Sequence, residues 1–243
     1  MPVNLEPIKA VILAGGAGTR VQHLLSGIPK PMAPVAGKPF VEWVVRFLAK
    51  HGITDVTISS GYLAGHIAAH FDCFDLPGVS VRCRPEPQPL GTAGGFLNAI
   101  DGRHDEPGSW LVCNGDSLIL ADLRRMLSMA AEFEAVLLGV DVADCSRFGS
   151  LQVDSSDRLQ RFVEKRPGEG LISAGVYLIN QSLPLRFPAD RPLSFETDVF
   201  PFLLKSGIRM GVNCSSAPFL DIGTEATLRL ASDFVSSHGE CFL

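Results

Sequence analysis

Two hydrophobic periods alternate along the N-terminal half of the chain. Lys9 to Ala14 (KAVILA) is a short run of mostly branched apolar residues, the pattern of a strand buried on both faces. It runs straight into Gly15 and Gly16. From Pro39 to His51 the apolar residues fall at Phe40, Val41, Val44, Val45 and Leu48, the spacing of one helix face, and Gly52 is the kind of residue that ends a helix. The same reading predicts strands over Asp55 to Ser59, Val79 to Arg84 and Ser109 to Cys113, and helices over Leu63 to Phe71 and Thr92 to Ile100. Alternation of this kind implies βαβ units, hence a doubly wound, mostly parallel, Rossmann-like α/β sheet with helices on both faces.

The rhythm changes from residue 121 onward. Leu123 to Phe133 reads as a helix. Strand-like runs then follow in quick succession over Ala135 to Val140, Gly149 to Val153, Leu159 to Glu164 and Ser173 to Ile179. Phe195 to Leu204 and Thr224 to Val235 return to helical spacing. Residues 1–243 are therefore read as one domain on a continuous sheet, with a nucleotide-binding half over 1–120 and a substrate-facing half over 121–243.

Composition narrows the function classes. A chain of 243 residues can bury a core without staples, and 46% hydrophobic with 19% charged residues excludes extensive disorder. The net charge of −5 argues against a nucleic-acid or anionic-membrane surface, but it leaves room for a small anion held by a few local cations. The six cysteines form no CxxC pair and have no histidine at metal-ligand spacing, so free thiols in a reducing compartment are expected. No apolar run approaches the ~18 residues of a membrane span. The stretch Ala10 to Ala14 is too short for a signal peptide, so a cytoplasmic protein is expected.

The sharpest local chemistry is Gly15-Gly16-Ala17-Gly18-Thr19-Arg20, directly after the first strand. Glycines let a backbone turn tightly and bring its N–H groups against phosphate oxygens, and a helix following the loop would add positive potential. Arg20 adds a forked donor suited to phosphate. The dinucleotide fingerprint would need a glycine at Val21, and a P-loop would need Gly-Lys-Ser or Gly-Lys-Thr, so neither fits. Lys30, between Pro29 and Pro31, is held out of helix and is available to a phosphate chain. Asp116 and Asp221 each follow an apolar strand. Together they would be hard oxygen ligands of the kind magnesium takes, although each could instead cap a turn or helix.

Taken together, these motifs resemble the signature of the sugar-1-phosphate nucleotidyltransferases: a strand, then GGxGTR, then Lys-Pro about ten residues on. The resemblance continues through Pro89-Leu90-Gly91-Thr92-Ala93-Gly94-Gly95, Asn114-Gly115-Asp116, Glu164-Lys165, Ser173-Ala174-Gly175 and Asp221-Ile222-Gly223-Thr224. Val21 departs from the usual Leu or Met, and Ser173 from the Asn often found before Ala-Gly. The resemblance implies a nucleotidyltransferase (GT-A-like) architecture. It implies that Leu13, Gly15, Gly16, Gly18, Thr19, Glu86, Gly91 and Thr92 bind nucleotide. Arg20 and Lys30 fall to the triphosphate, Lys165 to the sugar phosphate, and Asp116 with Asp221 to Mg2+. Asn114, Gly149, Glu164, Ser173, Gly175 and Glu196 fall to the sugar.

Such a reaction needs no protein base, because a phosphate monoester is mostly dianionic at neutral pH and is itself the nucleophile. What it needs is alignment and charge neutralisation. Ile28 to Pro34, Lys38-Pro39-Phe40, Arg147-Phe148-Gly149 and Ser194-Phe195-Glu196 most resemble the heptose 1-phosphate guanylyltransferases, which implies GTP and a heptose 1-phosphate as substrates. That activity supplies a GDP-sugar for bacterial surface polysaccharide. Alternatives are a mannose 1-phosphate guanylyltransferase, a uridylyl- or thymidylyltransferase acting on hexose or N-acetylhexosamine phosphates, and a nucleotide-sugar-binding regulatory subunit. With few residues after Asp221 in this sequence, the β-helix acyltransferase domain of some relatives is not expected. The sequence leaves the oligomeric state open, a homodimer included.

Overall fold

The computed structural model describes residues 8–103, 106–163 and 167–242. The first half runs β1 (Ile8–Ala14), a two-strand ribbon of β2 (Pro34–Val35) and β3 (Lys38–Pro39), α1 (Phe40–Lys50), β4 (Asp55–Ser60), α2 (Ala64–Asp72), β5 (Ser80–Pro85), α3 (Thr92–Ala99) and β6 (Ser109–Asn114). The second half runs β7 (Ser117–Ile119), α4 (Leu123–Ser128), β8 (Ala135–Val142), β9 (Ser150–Val153), β10 (Leu159–Val163), β11 (Gly170–Asn180), α5 (Phe200–Lys205), β12 (Met210–Ser215), β13 (Phe219–Asp221) and α6 (Glu225–Ser237).

Among the described residues, nine strands share one sheet in the order β10-β9-β11-β6-β1-β4-β5, with β8 on β11 and β12 beyond β8. The strands β6, β1, β4 and β5 are parallel, as the strand–helix alternation predicts. Strand β11 then runs antiparallel to both β6 and β8, so the sheet is mixed in its second half. Along β1 the two-residue period of a strand divides the side chains. Ala10, Ile12 and Ala14 enter the core beneath α1, α2, α4 and α6, while Val11 enters the core beneath α3 and α5.

Several elements differ from the sequence reading, which missed the β2–β3 ribbon and β7. Leu123 to Phe133 is helical only to Ser128, with a 3-10 turn over Met129–Ala131. The Phe195 segment starts as a π-helix over Phe195–Val199, just ahead of Pro201, which lacks the N–H that regular α-helical bonding needs. Strand β12 was hidden by Gly211, which reads as a breaker. Its missing side chain makes room for the Phe133 ring, since a Cβ there would lie 2.6 Å from a ring carbon. The glycine loop leads into a 3-10 turn at Gln22–Leu24, so no α-helix dipole stands behind it. The six cysteines are free thiols.

Candidate active site

The chain runs β1, β4, β5 and then returns to place β6 on the other side of β1. In open α/β sheets, ligands bind where the strand order reverses, outside the carboxyl ends of the strands. Leu13 lies at the end of one of these two strands, Gly15 follows it and Asn114 ends the other, all at that crevice.

A cavity of about 320 Å³ opens there. It brings together Leu13, Gly15, Gly16, Glu86, Gly91 and Thr92, with Asn114 and Asp116 also on its wall. Pro89 and Leu90 line it too, contacts that the sequence reading did not assign. Gly18 and Thr19 belong to the loop but do not line this cavity. Gly18, at φ +61, instead packs on Lys30, whose Cβ would lie 2.8 Å from an added Cβ. Gly15 is a glycine for a steric reason: any Cβ there would strike the Glu86 carboxylate.

Glu86 sits between two prolines and could have pointed into water. It is half-buried instead. Its Oε1 accepts from Ser59 Oγ at 3.1 Å and its Oε2 accepts from the Leu90 N–H at 3.1 Å. An ionised carboxylate has about four acceptor positions. These two bonds leave roughly one on each oxygen for a ligand in the cavity.

A second cavity of about 570 Å³ adjoins the first through Asn114, which lines both. Of the expected sugar residues, Asn114, Gly149, Ser173, Gly175 and Glu196 line it, and so do Arg20, Arg147 and Tyr177. Strand β11 presents Ser173 and Gly175 through an irregularity: its register on β8 shifts between Ser173 and Tyr177, and Gly175 takes φ +74 there. The space above Gly175 is filled by the Asn114 amide, which a Cβ would strike. Glu164 and Lys165 lie outside the described residues.

The two aspartates meet through strand pairing. Asp221 ends β13, which runs antiparallel to β7 with Asp221 opposite Ser117, and the Ile222 N–H bonds to the Asp116 carbonyl at 3.0 Å. Each carboxylate already faces one cation. Lys30 Nζ pairs with Asp116 Oδ2, and Arg147 Nη2 lies 2.6 Å from Asp221 Oδ1. Two adjacent half-buried carboxylates fit an oxygen-seeking cation such as magnesium, which takes its other ligands from phosphate and water. Among the described residues no three His, Cys, Asp or Glu side chains gather into a cage of their own.

Arg147, Tyr177 and Thr197 are the polar residues lining the second cavity that the sequence reading left without a role. The Arg147-Phe148-Gly149 triplet was read as part of the family resemblance, with a site role given to its glycine alone. Tyr177 is 1% exposed and donates to Glu196 Oε1 at 2.8 Å. Burial first, and then the neighbouring Glu196 charge, raise its phenol pKa well above 10.

The family model for nucleotidyl transferases matches residues 9–238. The chain is 34% identical to the D-glycero-alpha-D-manno-heptose 1-phosphate guanylyltransferase of Aneurinibacillus thermoaerophilus, over 92% of this chain and 96% of that protein. It is 33% identical to the mannose-1-phosphate guanylyltransferase of Mycobacterium tuberculosis, over 94% of this chain but only 63% of that longer protein. The crystal structure of HddC from Yersinia pseudotuberculosis complexed with GMP-PN superposes with a TM-score of 0.80 at 32% identity, covering 93% of this chain and 98% of that one.

Proposed function

The chain belongs to the nucleotidyl transferase family, and we propose that within it this protein is a guanylyltransferase that joins GTP to a sugar 1-phosphate and releases pyrophosphate. The observation that carries the reading is a pair of cavities meeting at Asn114, with Asp116 on the wall of one, paired with Lys30, and Arg147 on the wall of the other, paired with Asp221. In the reaction an oxygen of the sugar phosphate attacks the α-phosphorus of GTP. A new P–O bond forms, the bond between the α-phosphorus and the bridging oxygen breaks, and that oxygen leaves with pyrophosphate. Charge is conserved without a proton transfer, so the protein's task is to align two polyanions and offset their repulsion.

In this account Gly15, Gly16, Gly18 and Thr19 bring backbone N–H groups to the triphosphate, with Arg20 and Lys30 as its cations. Lys165 takes the sugar phosphate, and Asn114, Gly149, Glu164, Ser173, Gly175 and Glu196 take the sugar. Asp116 and Asp221 would hold magnesium, whose charge, when bound, screens the reacting phosphates.

Glu86 supports GTP as the nucleotide. Its two free acceptor positions match the adjacent N1–H and N2–H donors of guanine. Uracil and thymine offer one N–H between two carbonyl oxygens, and those oxygens would face a carboxylate. Two relatives named as heptose and mannose enzymes share the manno ring, which makes it the sugar class proposed here. The heptose is favoured by the resemblance that Arg147-Phe148-Gly149 and Ser194-Phe195-Glu196 carry. Glu86→Gln tests the base assignment. The wild type is expected to prefer GTP to UTP, dTTP and ATP in kcat/KM by about a hundredfold or more, and the variant to lose most of that margin. An unchanged GTP margin in Glu86→Gln would remove Glu86 from base selection.

A further inference from the structure

Tyr177 stands in an aromatic cluster, with its ring centroid 5.3 Å from that of Phe195 and 5.0 Å from that of Phe200. Phenylalanine would fill that space without a polar atom. A hydroxyl taken out of water is costly unless it is bonded. Here its partner is the carboxylate of Glu196, which lines the second cavity. The other oxygen of that carboxylate accepts from Ser194 Oγ at 2.9 Å and Thr92 Oγ1 at 3.2 Å. Donors from β11, from α3 and from the loop before the π-turn therefore fix the carboxylate plane. Oε1 keeps an acceptor position that Tyr177 does not use.

The same carboxylate is tied to the nucleotide cavity. Thr92 Oγ1 also accepts from the Phe195 N–H at 2.9 Å. Leu193 is stitched to the loop around Gly91: its N–H bonds to the Leu90 carbonyl at 2.8 Å, and its own carbonyl accepts from Ala93 at 2.9 Å.

We propose that Tyr177 is a positioning residue for the sugar phosphate, acting through Glu196: its hydroxyl holds the carboxylate in the orientation that meets the sugar. The inference rests on Glu196 being a sugar contact. The phenol stays protonated over the working pH range, so the donor is permanent.

The test is steady-state kinetics at saturating GTP and magnesium, with α-D-mannose 1-phosphate and D-glycero-α-D-manno-heptose 1-phosphate as varied substrates. Wild type, Tyr177→Phe, Glu196→Ala and the double variant are compared, and Tm is measured for each. Tyr177→Phe is expected to raise the sugar-phosphate KM about tenfold, the worth of one hydrogen bond to a charged group, with the GTP KM unchanged. The double variant is expected to be no worse than Glu196→Ala alone. If Glu196→Ala raises the sugar-phosphate KM and Tyr177→Phe does not, or lowers only Tm, the positioning role is wrong and the Glu196 assignment stands. If Glu196→Ala leaves that KM untouched, both are overturned.

Discussion

Arg147 Nη2 lies 2.6 Å from Asp221 Oδ1, so one of the two carboxylates proposed for magnesium is already engaged by a cation that lines the second cavity. A bound cation must compete with that guanidinium. Arg147→Met is therefore expected to lower the magnesium concentration needed for half-maximal activity. Turnover should fall, because a charge beside the reacting phosphates is lost. A magnesium titration of each enzyme checks this. A variant that needs more magnesium than wild type would contradict it.

Asp116→Asn and Asp221→Asn are each expected to cut kcat by at least about a hundredfold while leaving the fold intact. Both side chains sit at strand ends and are partly exposed, so their loss leaves no core cavity. Pyrophosphate release and near-ultraviolet circular dichroism, measured together, separate the two effects. Near-normal turnover in either variant would remove that residue from the metal site.

Gly91 has φ +77, and a Cβ on it would lie 2.5 Å from the Leu193 carbonyl oxygen. Its ψ of 170 puts it in a region essentially open only to glycine, so Gly91→Ala is expected to cost about 1–3 kcal/mol from the backbone alone. The clash is with backbone, so the loop must also shift away from Glu86 and Leu90. Urea unfolding and the GTP KM should both report the change. A stable variant with wild-type GTP affinity would show that the stitch at Leu193 does not shape the base site.

Away from the site, Glu106 is held from its ordinary 4.5 down to about 2, by Arg103 first and Lys9 next. A carboxyl with a depressed folded pKa stabilises the fold fully above its unfolded value, and that contribution is lost as pH falls toward the folded one. The Glu106 side chain is 41% exposed, so screening limits the effect to under about 1 kcal/mol. Glu106→Gln should lower stability by at most that much near neutral pH. The difference should vanish as pH drops from 4.5 to about 2. A deficit that persists in acid would point to lost packing instead.

The nucleotide side was the more legible half because its signals are local. The apolar run of β1, the glycines after it and the Lys30 prolines lie within one short stretch, and Asp116 comes two residues after the end of β6. Asp221 was read as a strand end, but its meeting with Asp116 depends on the pairing of β13 with β7, which no local period encodes. Tyr177 falls inside the strand predicted over Ser173 to Ile179, where nothing local singles it out. Its partner Glu196 belongs to another element, so the hydrogen bond that gives it a role has no signature in sequence. Arg147 did carry a signal, an arginine two places before a glycine already assigned to the sugar, and the triplet was read too narrowly.

The central claim is tested most directly by coupled pyrophosphate release from the wild-type protein with magnesium, over GTP, UTP, dTTP and ATP, each paired with D-glycero-α-D-manno-heptose 1-phosphate, α-D-mannose 1-phosphate and α-D-glucose 1-phosphate. The account expects GTP with one of the two manno-configured phosphates to give the highest rate, with one GDP-sugar formed per pyrophosphate released. A preference for UTP or dTTP would contradict the guanylyltransferase assignment, and no pyrophosphate from any pair would contradict the transferase reading itself.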